Sequence, residues 1–409
     1  MDVSEQVYQD SIKALDILKD VIHITPLDYS RTFSELSKGK IFLKLENLQK
    51  TGSFKIRGAY YKIWSLGDEK FKGVIAASAG NHAQGVALAA TLQKTKSIIV
   101  MPETAPIAKI NATKGYGAEV ILYGKNFDDA MSKAVELSKE KGYNLIHAYD
   151  DLKIISGQGT ISHEILQQMP VKPDIVVIPI GGGGLISGNA IVLKKRLGNK
   201  VKVIGVEPSY VAKYSRGLKE GKPINIKEAP PGLMDGLIVK GSGNYTFEFI
   251  KEYVDDIVKV NDSEVARSMF LLLERAKTLA EGAGAASLAA VLENKIDVEN
   301  KNVVVLISGG NVDITRISNI LNYELAKSGR IIKLTGIIPD LPGWLDKVLE
   351  KLAAAKLNVI DIRHDRITPL IDPGTALIEV LVETPEPSVI DEVIGDLNSI
   401  GLKFSKALP

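Results

Sequence analysis

Cysteine is absent from all 409 residues, which excludes disulfides, thiolate nucleophiles, iron–sulfur clusters and cysteine zinc sites. Histidine is scarce. Only His23, His82, His147, His163 and His364 are available, so metal chemistry has few ligands to draw on. No stretch approaches the ~18 uninterrupted apolar residues of a membrane-spanning helix. The opening residues are acidic and lack a basic segment followed by an apolar block, so neither a membrane nor a secretory signal is expected. Neither charge dominates: 51 Lys+Arg against 49 Asp+Glu give +2, and nothing points to a nucleic-acid partner. Repeats and low-complexity tracts are also missing. What is present is 45% hydrophobic residues, ample for large cores, in a length that suits two or three domains at ~150 residues each. A cytoplasmic globular protein is expected, opening with an amphipathic helix that carries Val7, Ile12, Leu15, Leu18 and Ile22.

From about residue 70 to 320, short Val/Ile runs alternate with amphipathic helical stretches. Residues 73–78, 97–101, 174–180, 201–207 and 302–308 read as strands, and their lack of polar alternation predicts burial on both faces of a parallel sheet. Helical patterns lie between them, including 83–93, 185–196 and 264–279, which gives an α/β architecture. Three of the strands end in small-residue loops, SAGN, GGGG and SGGN. Ligands of open parallel sheets bind beyond the carboxyl ends of strands, so the three loops predict one shared crevice. After Gly329 the order becomes β-α-β-β-α-β, the ferredoxin-like unit. The expected division is a catalytic region 1–325 with a smaller subdomain at roughly 50–150, and a domain at 330–409.

The tetraglycine Gly181, Gly182, Gly183 and Gly184 follows a strand and precedes a helix beginning near Leu185. Backbone N–H groups in that context form an anion cradle suited to phosphate; the plain alternative is a flexible loop. No frame of GGGGLISGN satisfies G-x-G-x-x-G, and no Gly-Lys pair precedes Ser or Thr, so a dinucleotide or Walker site is not supported. Lys55, in TGSFKIRGA, reads as a tucked lysine at a helix start capped by Ser53 or Thr51. Desolvation and the helix terminus would both lower its proton affinity and expose a nucleophilic amine. A phosphate cradle with an activated lysine is what pyridoxal phosphate requires. Ser78-Ala79-Gly80-Asn81-His82 turns from strand into helix, where its N–H groups suit a carboxylate and Asn81 suits a phenolic oxygen. Taken alone, Asn81 is an ordinary cap, His82 a packing residue and Ser308 a turn serine. His163-Glu164 resembles half of a zinc helix, but Gln167 stands where the second histidine belongs, so no metal site is expected.

SFKIRGA, SAGNHAQG, GGGGLISG, EGAGAA and SGGN, in this order over nearly the whole chain, resemble the fold-type-II pyridoxal-phosphate enzymes, and within them the threonine dehydratases with a C-terminal ACT domain. The resemblance implies pyridoxal 5'-phosphate held as a Schiff base on Lys55 beside Phe54, with Asn81 at its 3-hydroxyl. It places the phosphate on Gly181–Gly184 and Leu185, Ser308 at the pyridine nitrogen, and Gly236 and Glu281 along the ring. The Ser78, Ala79, Gly80, Asn81, His82 loop would hold the substrate carboxylate. The implied reaction is β-elimination from L-threonine to 2-oxobutanoate and ammonia, and from L-serine to pyruvate. The freed Lys55 amine takes the α-proton, and a serine at the pyridine nitrogen favours elimination over transamination.

The resemblance also implies a homo-oligomer, dimer or tetramer, and an amino-acid effector, isoleucine, at the ACT loop Asp340, Leu341, Pro342 and Gly343. Two positions depart from racemase-like relatives. Ala79 replaces a second serine, which disfavours racemisation. Lys213 stands where those relatives carry a cation-binding aspartate after Glu207, so no divalent requirement is expected. Three rivals remain: a nicotinamide dehydrogenase, a non-catalytic amino-acid sensor, and a serine-preferring or catabolic dehydratase of the same fold.

Overall fold

The computed structural model describes residues 2–407, and the chain divides into two compact units between Val312 and Asp313. The first unit holds two sheets. The larger runs, in spatial order, Leu27–Tyr29, Lys40–Leu45, Asn302–Ile307, Ile175–Pro179, Lys202–Pro208 and Asp256–Val260. It is parallel apart from the short first strand. The smaller sheet is wholly parallel, in the order Glu119–Leu122, Ser97–Met101, Val74–Ala77 and Asn144–Leu145. The Val/Ile runs have the predicted double burial: every residue of Ile175–Pro179 and of Val74–Ala77 is buried. Lys40–Leu45 lies inside the large sheet, between Leu27–Tyr29 and Asn302–Ile307, although the strands that follow it in sequence build the smaller one. Sheet neighbours 262 residues apart in sequence, such as Ile41 and Val303, carry no local signal.

Two helices that bear on the crevice are pressed onto a third. Lys55–Ser65 and Gly184–Leu197 both pack against Leu152–Gln168. A Cβ built on Gly157 would lie 2.6 Å from the Gly58 Cα, and one on Gly188 would lie 2.1 Å from the Ile155 carbonyl oxygen. Glycine at these crossings lets the backbones approach. A buried ionic cluster ties the same region together. The Arg57 guanidinium, two residues beyond Lys55, donates in forked pairs to Glu46 (2.8 and 2.8 Å) and Glu164 (2.5 and 3.0 Å). Lys44 Nζ reaches Glu164 at 2.6 Å. Burial works against the Glu46 charge, yet Arg57 holds that carboxyl below its ordinary range. Glu164 thus belongs to an ion cluster, and His163 shares a 2.9 Å hydrogen bond with Ser11.

The second unit begins with helix Ile314–Lys327 and continues as strand Ile331–Pro339, helix Trp344–Ala354, strands Asn358–Asp365 and Thr375–Glu383, helix Val389–Ser399 and strand Lys403–Ala407. Its antiparallel sheet has the order Asn358–Asp365, Thr375–Glu383, Ile331–Pro339, Lys403–Ala407, a ferredoxin-like arrangement. Ala376, Ile378, Val380 and Val382 alternate into its core against Val348, Leu352, Ile390, Val393 and Leu397. No helix among the described residues is long and apolar enough to cross a membrane.

Candidate active site

Lys55 is the first residue of helix Lys55–Ser65. The expected side-chain cap from Ser53 or Thr51 does not form. Phe54 occupies the cap position without a side-chain hydrogen bond, and Ser53 Oγ is buried without a partner among the described residues. The turn is held instead by strand-like pairing with the SGGN loop: Phe54 N–H donates to Ser308 O (3.2 Å) and Gly310 N–H to Gly52 O (2.9 Å). Long-range backbone bonds replaced a local cap, and they carry Ser308 to the lysine. Lys55 Nζ donates to the Ala148 carbonyl at 3.0 Å and lies 5.1 Å from the centroid of the Phe54 ring. Burial pushes its pKa down to about 8, with Glu281 acting in the opposite sense. More neutral amine is then present near neutral pH than an ordinary lysine holds, although the ammonium still predominates.

Asn81 opens helix Asn81–Leu92 at the end of the smaller sheet's Val74–Ala77 strand. Its amide is fixed from both ends. Nδ2 donates to Glu281 Oε1 at 2.6 Å, and Oδ1 accepts from Asn311 Nδ2 at 2.8 Å. Burial and the neighbouring Asp235 push the Glu281 pKa up to about 8, against the Asn81 hydrogen bond. Beside Asn81, the N–H groups of Ala79, Asn81 and His82 have no protein acceptor among the described residues. A Cβ on Gly80 would meet nothing within 4 Å, so the loop borders open space. His82 is buried and donates through Nε2 to Ile146 O at 3.1 Å. Burial, and then the Lys55 charge, drive its pKa down to about 3, so it is neutral and positions rather than titrates.

Gly181–Gly184 follow strand Ile175–Pro179 and lead into helix Gly184–Leu197, with Gly183 at φ +90° in the cap position. Lys213 Nζ donates to Gly181 O, and Tyr214 Oη donates to Gly182 O, both at 2.7 Å. Among the described residues, no protein acceptor takes a bond from the N–H groups of Gly181 through Leu185. A Cβ on Gly182 would sit 2.1 Å from Tyr149 Cγ, and one on Gly181 would sit 3.0 Å from Gly236 O. Gly236 in turn lies against Ala283 and Glu281. Ser308 is buried, with only a long 3.5 Å contact from its Oγ to Ala283 O. These contacts bring Lys55, Asn81, the glycine loop, Gly236, Glu281 and Ser308 into one neighbourhood. Asp340–Gly343 lie in the second unit.

Sequence reasoning missed Ala148, Tyr149 and Asn311. Ala148 acts through a carbonyl, and Tyr149 follows a strand of only two residues, Asn144–Leu145, so neither left a periodic trace. Asn311 had a signal, as the last residue of SGGN. A cradle of unpaired N–H groups, a lysine of lowered proton affinity and a buried serine with almost no protein partner fit a phosphorylated aldehyde with a basic ring.

The model of the "Pyridoxal-phosphate dependent enzyme" family matches residues 18–309. The chain belongs to this family. Similar curated proteins in it include an L-threonine ammonia-lyase of Thermotoga maritima, 46% identical over 94% of this chain and 95% of that protein. Another L-threonine ammonia-lyase, of Geobacter sulfurreducens, is 42% identical over 95% of this chain and 96% of its own length. Among solved structures, the processed form of threonine deaminase isoform 2 from Solanum lycopersicum is similar at a TM-score of 0.74. It is 37% identical and covers 80% of this chain and 89% of its own. A maize serine racemase follows at 0.73 and 33% identity, covering 78% and 98%. The family's cofactor is the one that Lys55 and the glycine loop suit.

Proposed function

We propose that this family member is a threonine ammonia-lyase: it converts L-threonine to 2-oxobutanoate and ammonia, and L-serine to pyruvate by the same elimination. The observation that carries the reading is Lys55, whose amine of lowered pKa faces the same crevice as the unpaired glycine-loop N–H groups. Bound at Lys55, pyridoxal phosphate supplies an electron sink that lets the substrate's α-C–H bond break. The residues of the chain do the rest. The N–H groups of Ala79, Asn81 and His82 receive the substrate carboxylate, and the neutral His82 ring keeps that loop in place through Ile146 O. The Lys55 amine accepts the α-proton. Asn81, held by Asn311 and Glu281, presents one amide orientation to the cofactor's hydroxyl. The β-hydroxyl would leave as water, carrying the proton that the Lys55 amine took from the α-carbon, and the enamine set free would take up water and lose ammonia to give the oxoacid.

The purified protein should absorb visible light through lysine-bound cofactor and should form 2-oxobutanoate from L-threonine. A colourless protein that yields no oxoacid from threonine or serine would overturn the assignment. Initial rates on the two substrates also fix the preference, since one methyl group discriminates by only ~1–3 kcal/mol.

The finer reading places residues 330–409 as an ACT regulatory domain that binds an amino-acid effector, with isoleucine as that effector, in a cytoplasmic homo-oligomer supplying isoleucine biosynthesis. Its support is the ferredoxin-like order of the second unit and the loop from Asp340 to Gly343. Gly343 there has φ +88° with open space around it, and Arg366 Nε bonds Asp340 at 3.0 Å. Gly343→Asp places a side chain in a backbone region that favours glycine and adds a charge beside Asp340. Isoleucine should slow the wild type, and the variant should need roughly tenfold more of it, within the ~1–3 kcal/mol typical of such coupling, at unchanged uninhibited rate. Full-length enzyme indifferent to isoleucine and to valine would end the regulatory reading and leave the catalytic one intact.

A further inference from the structure

Lys213 opens helix Lys213–Glu220 and has no exposed surface. Among the described residues, the only hydrogen bond of its side chain is the 2.7 Å bond from Nζ to Gly181 O, and Nζ lies 5.2 Å from the centroid of the Tyr214 ring. The nearby carboxylate of Glu207 is spent on the backbone N–H groups of Tyr214 (2.8 Å) and Ser215 (3.0 Å). An ammonium buried with so little compensation is costly, and burial accordingly pulls the Lys213 pKa down to about 8, with Glu207 opposing. The next residue pins the next carbonyl, since Tyr214 Oη donates to Gly182 O at 2.7 Å. In a trans peptide the N–H points away from its carbonyl. Holding these two oxygens therefore turns the N–H groups of Gly182 and Gly183 to the opposite side, where they have no protein partner among the described residues.

We propose that Lys213 is a positioning residue of the phosphate cradle: its ammonium lends the glycine loop a positive charge, polarises the Gly181–Gly182 peptide, and finds its counter-charge in the bound phosphate. The inference rests on the glycine loop being the phosphate site. A hydrogen bond to a charged group polarises the peptide it touches and strengthens the donor at its other end. The dianion in turn supplies a negative charge beyond that of Glu207, whose carboxylate bonds the Tyr214 and Ser215 N–H groups rather than Nζ.

Pyridoxal, which has no phosphate, separates this role from simple support of the fold. Holoenzyme is resolved with hydroxylamine and titrated with pyridoxal phosphate or pyridoxal, following cofactor absorbance, for wild type, Lys213→Met and Lys213→Gln. Wild type that regains its original absorbance is the control. Both variants should bind pyridoxal phosphate roughly ten- to hundredfold more weakly, the span of one charge-assisted hydrogen bond, and pyridoxal as the wild type does. Unchanged affinity for pyridoxal phosphate overturns the proposal. So does an equal loss for both ligands, which would make Lys213 a support of the fold. Wild type that does not prefer pyridoxal phosphate to pyridoxal would remove the phosphate site itself, and the proposal with it.

Discussion

Lys55→Ala should lower threonine turnover by roughly 10³-fold or more, since a positioned proton-transfer group alone contributes roughly 10²–10⁴-fold and the covalent anchor of the cofactor goes with it. The fold should survive. The Nζ makes one hydrogen bond, to Ala148 O, and the helix start is held by Phe54 N–H on Ser308 O and Gly310 N–H on Gly52 O, which the substitution leaves alone. Removing a desolvated amine also relieves the burial that depresses its pKa. The urea midpoint of the cofactor-free protein should therefore stay equal or rise. Borohydride treatment followed by peptide mass analysis should find reduced cofactor on Lys55 in the wild type and no labelled peptide in the variant. Comparable deamination by the variant, or labelling at another lysine, would sink the assignment of Lys55 as both anchor and base.

Gly182→Ala is expected to cripple cofactor binding through sterics alone. The added Cβ would sit 2.1 Å from Tyr149 Cγ and 2.2 Å from Cδ1, the near end of a ring and not a flexible tip. Tyr149 has little room to yield: its Oη donates to Gly241 O at 3.3 Å, and the His147 ring packs edge-on at 4.7 Å. The loop must then shift, and its bonds from Lys213 and Tyr214 shift with it. Overpacking of this kind costs about 1–3 kcal/mol, so affinity for pyridoxal phosphate should fall roughly ten- to hundredfold. Adding Tyr149→Ala should return part of the loss, with a coupling of roughly 1–2 kcal/mol between the two sites. Wild-type affinity in Gly182→Ala would mean that the loop does not hold the phosphate. A double variant no better than the sum of its parts would place the clash elsewhere.

What the sequence determined by itself was whatever is written in short windows. Ile175–Pro179 and Asn302–Ile307 were legible because a strand buried on both faces needs an unbroken apolar run. The turn at Gly181–Gly184 was legible because strand, glycines and helix follow one another within a few residues. The resemblance of the ordered motifs led to the expectation of Lys55, Asn81, Glu281 and Ser308 in a single site; in the structure Asn81 bonds Glu281, and Phe54, the residue before Lys55, bonds Ser308 O. Beyond these windows, tertiary structure decided. Lys40–Leu45 sits beside Asn302–Ile307, and the cap that Ser53 or Thr51 was expected to make is replaced by pairing with Ser308–Gly310. Ala148 meets Lys55 across 93 residues of sequence, Asn311 meets Asn81 across 230, and Lys213 meets Gly181 across 32. Two of these three contacts are made to backbone carbonyls, which every residue type possesses, so the partner leaves no mark on the sequence. The lowered pKa of Lys55 is of the same kind: a lysine takes its chemistry from how much water the rest of the fold removes around it.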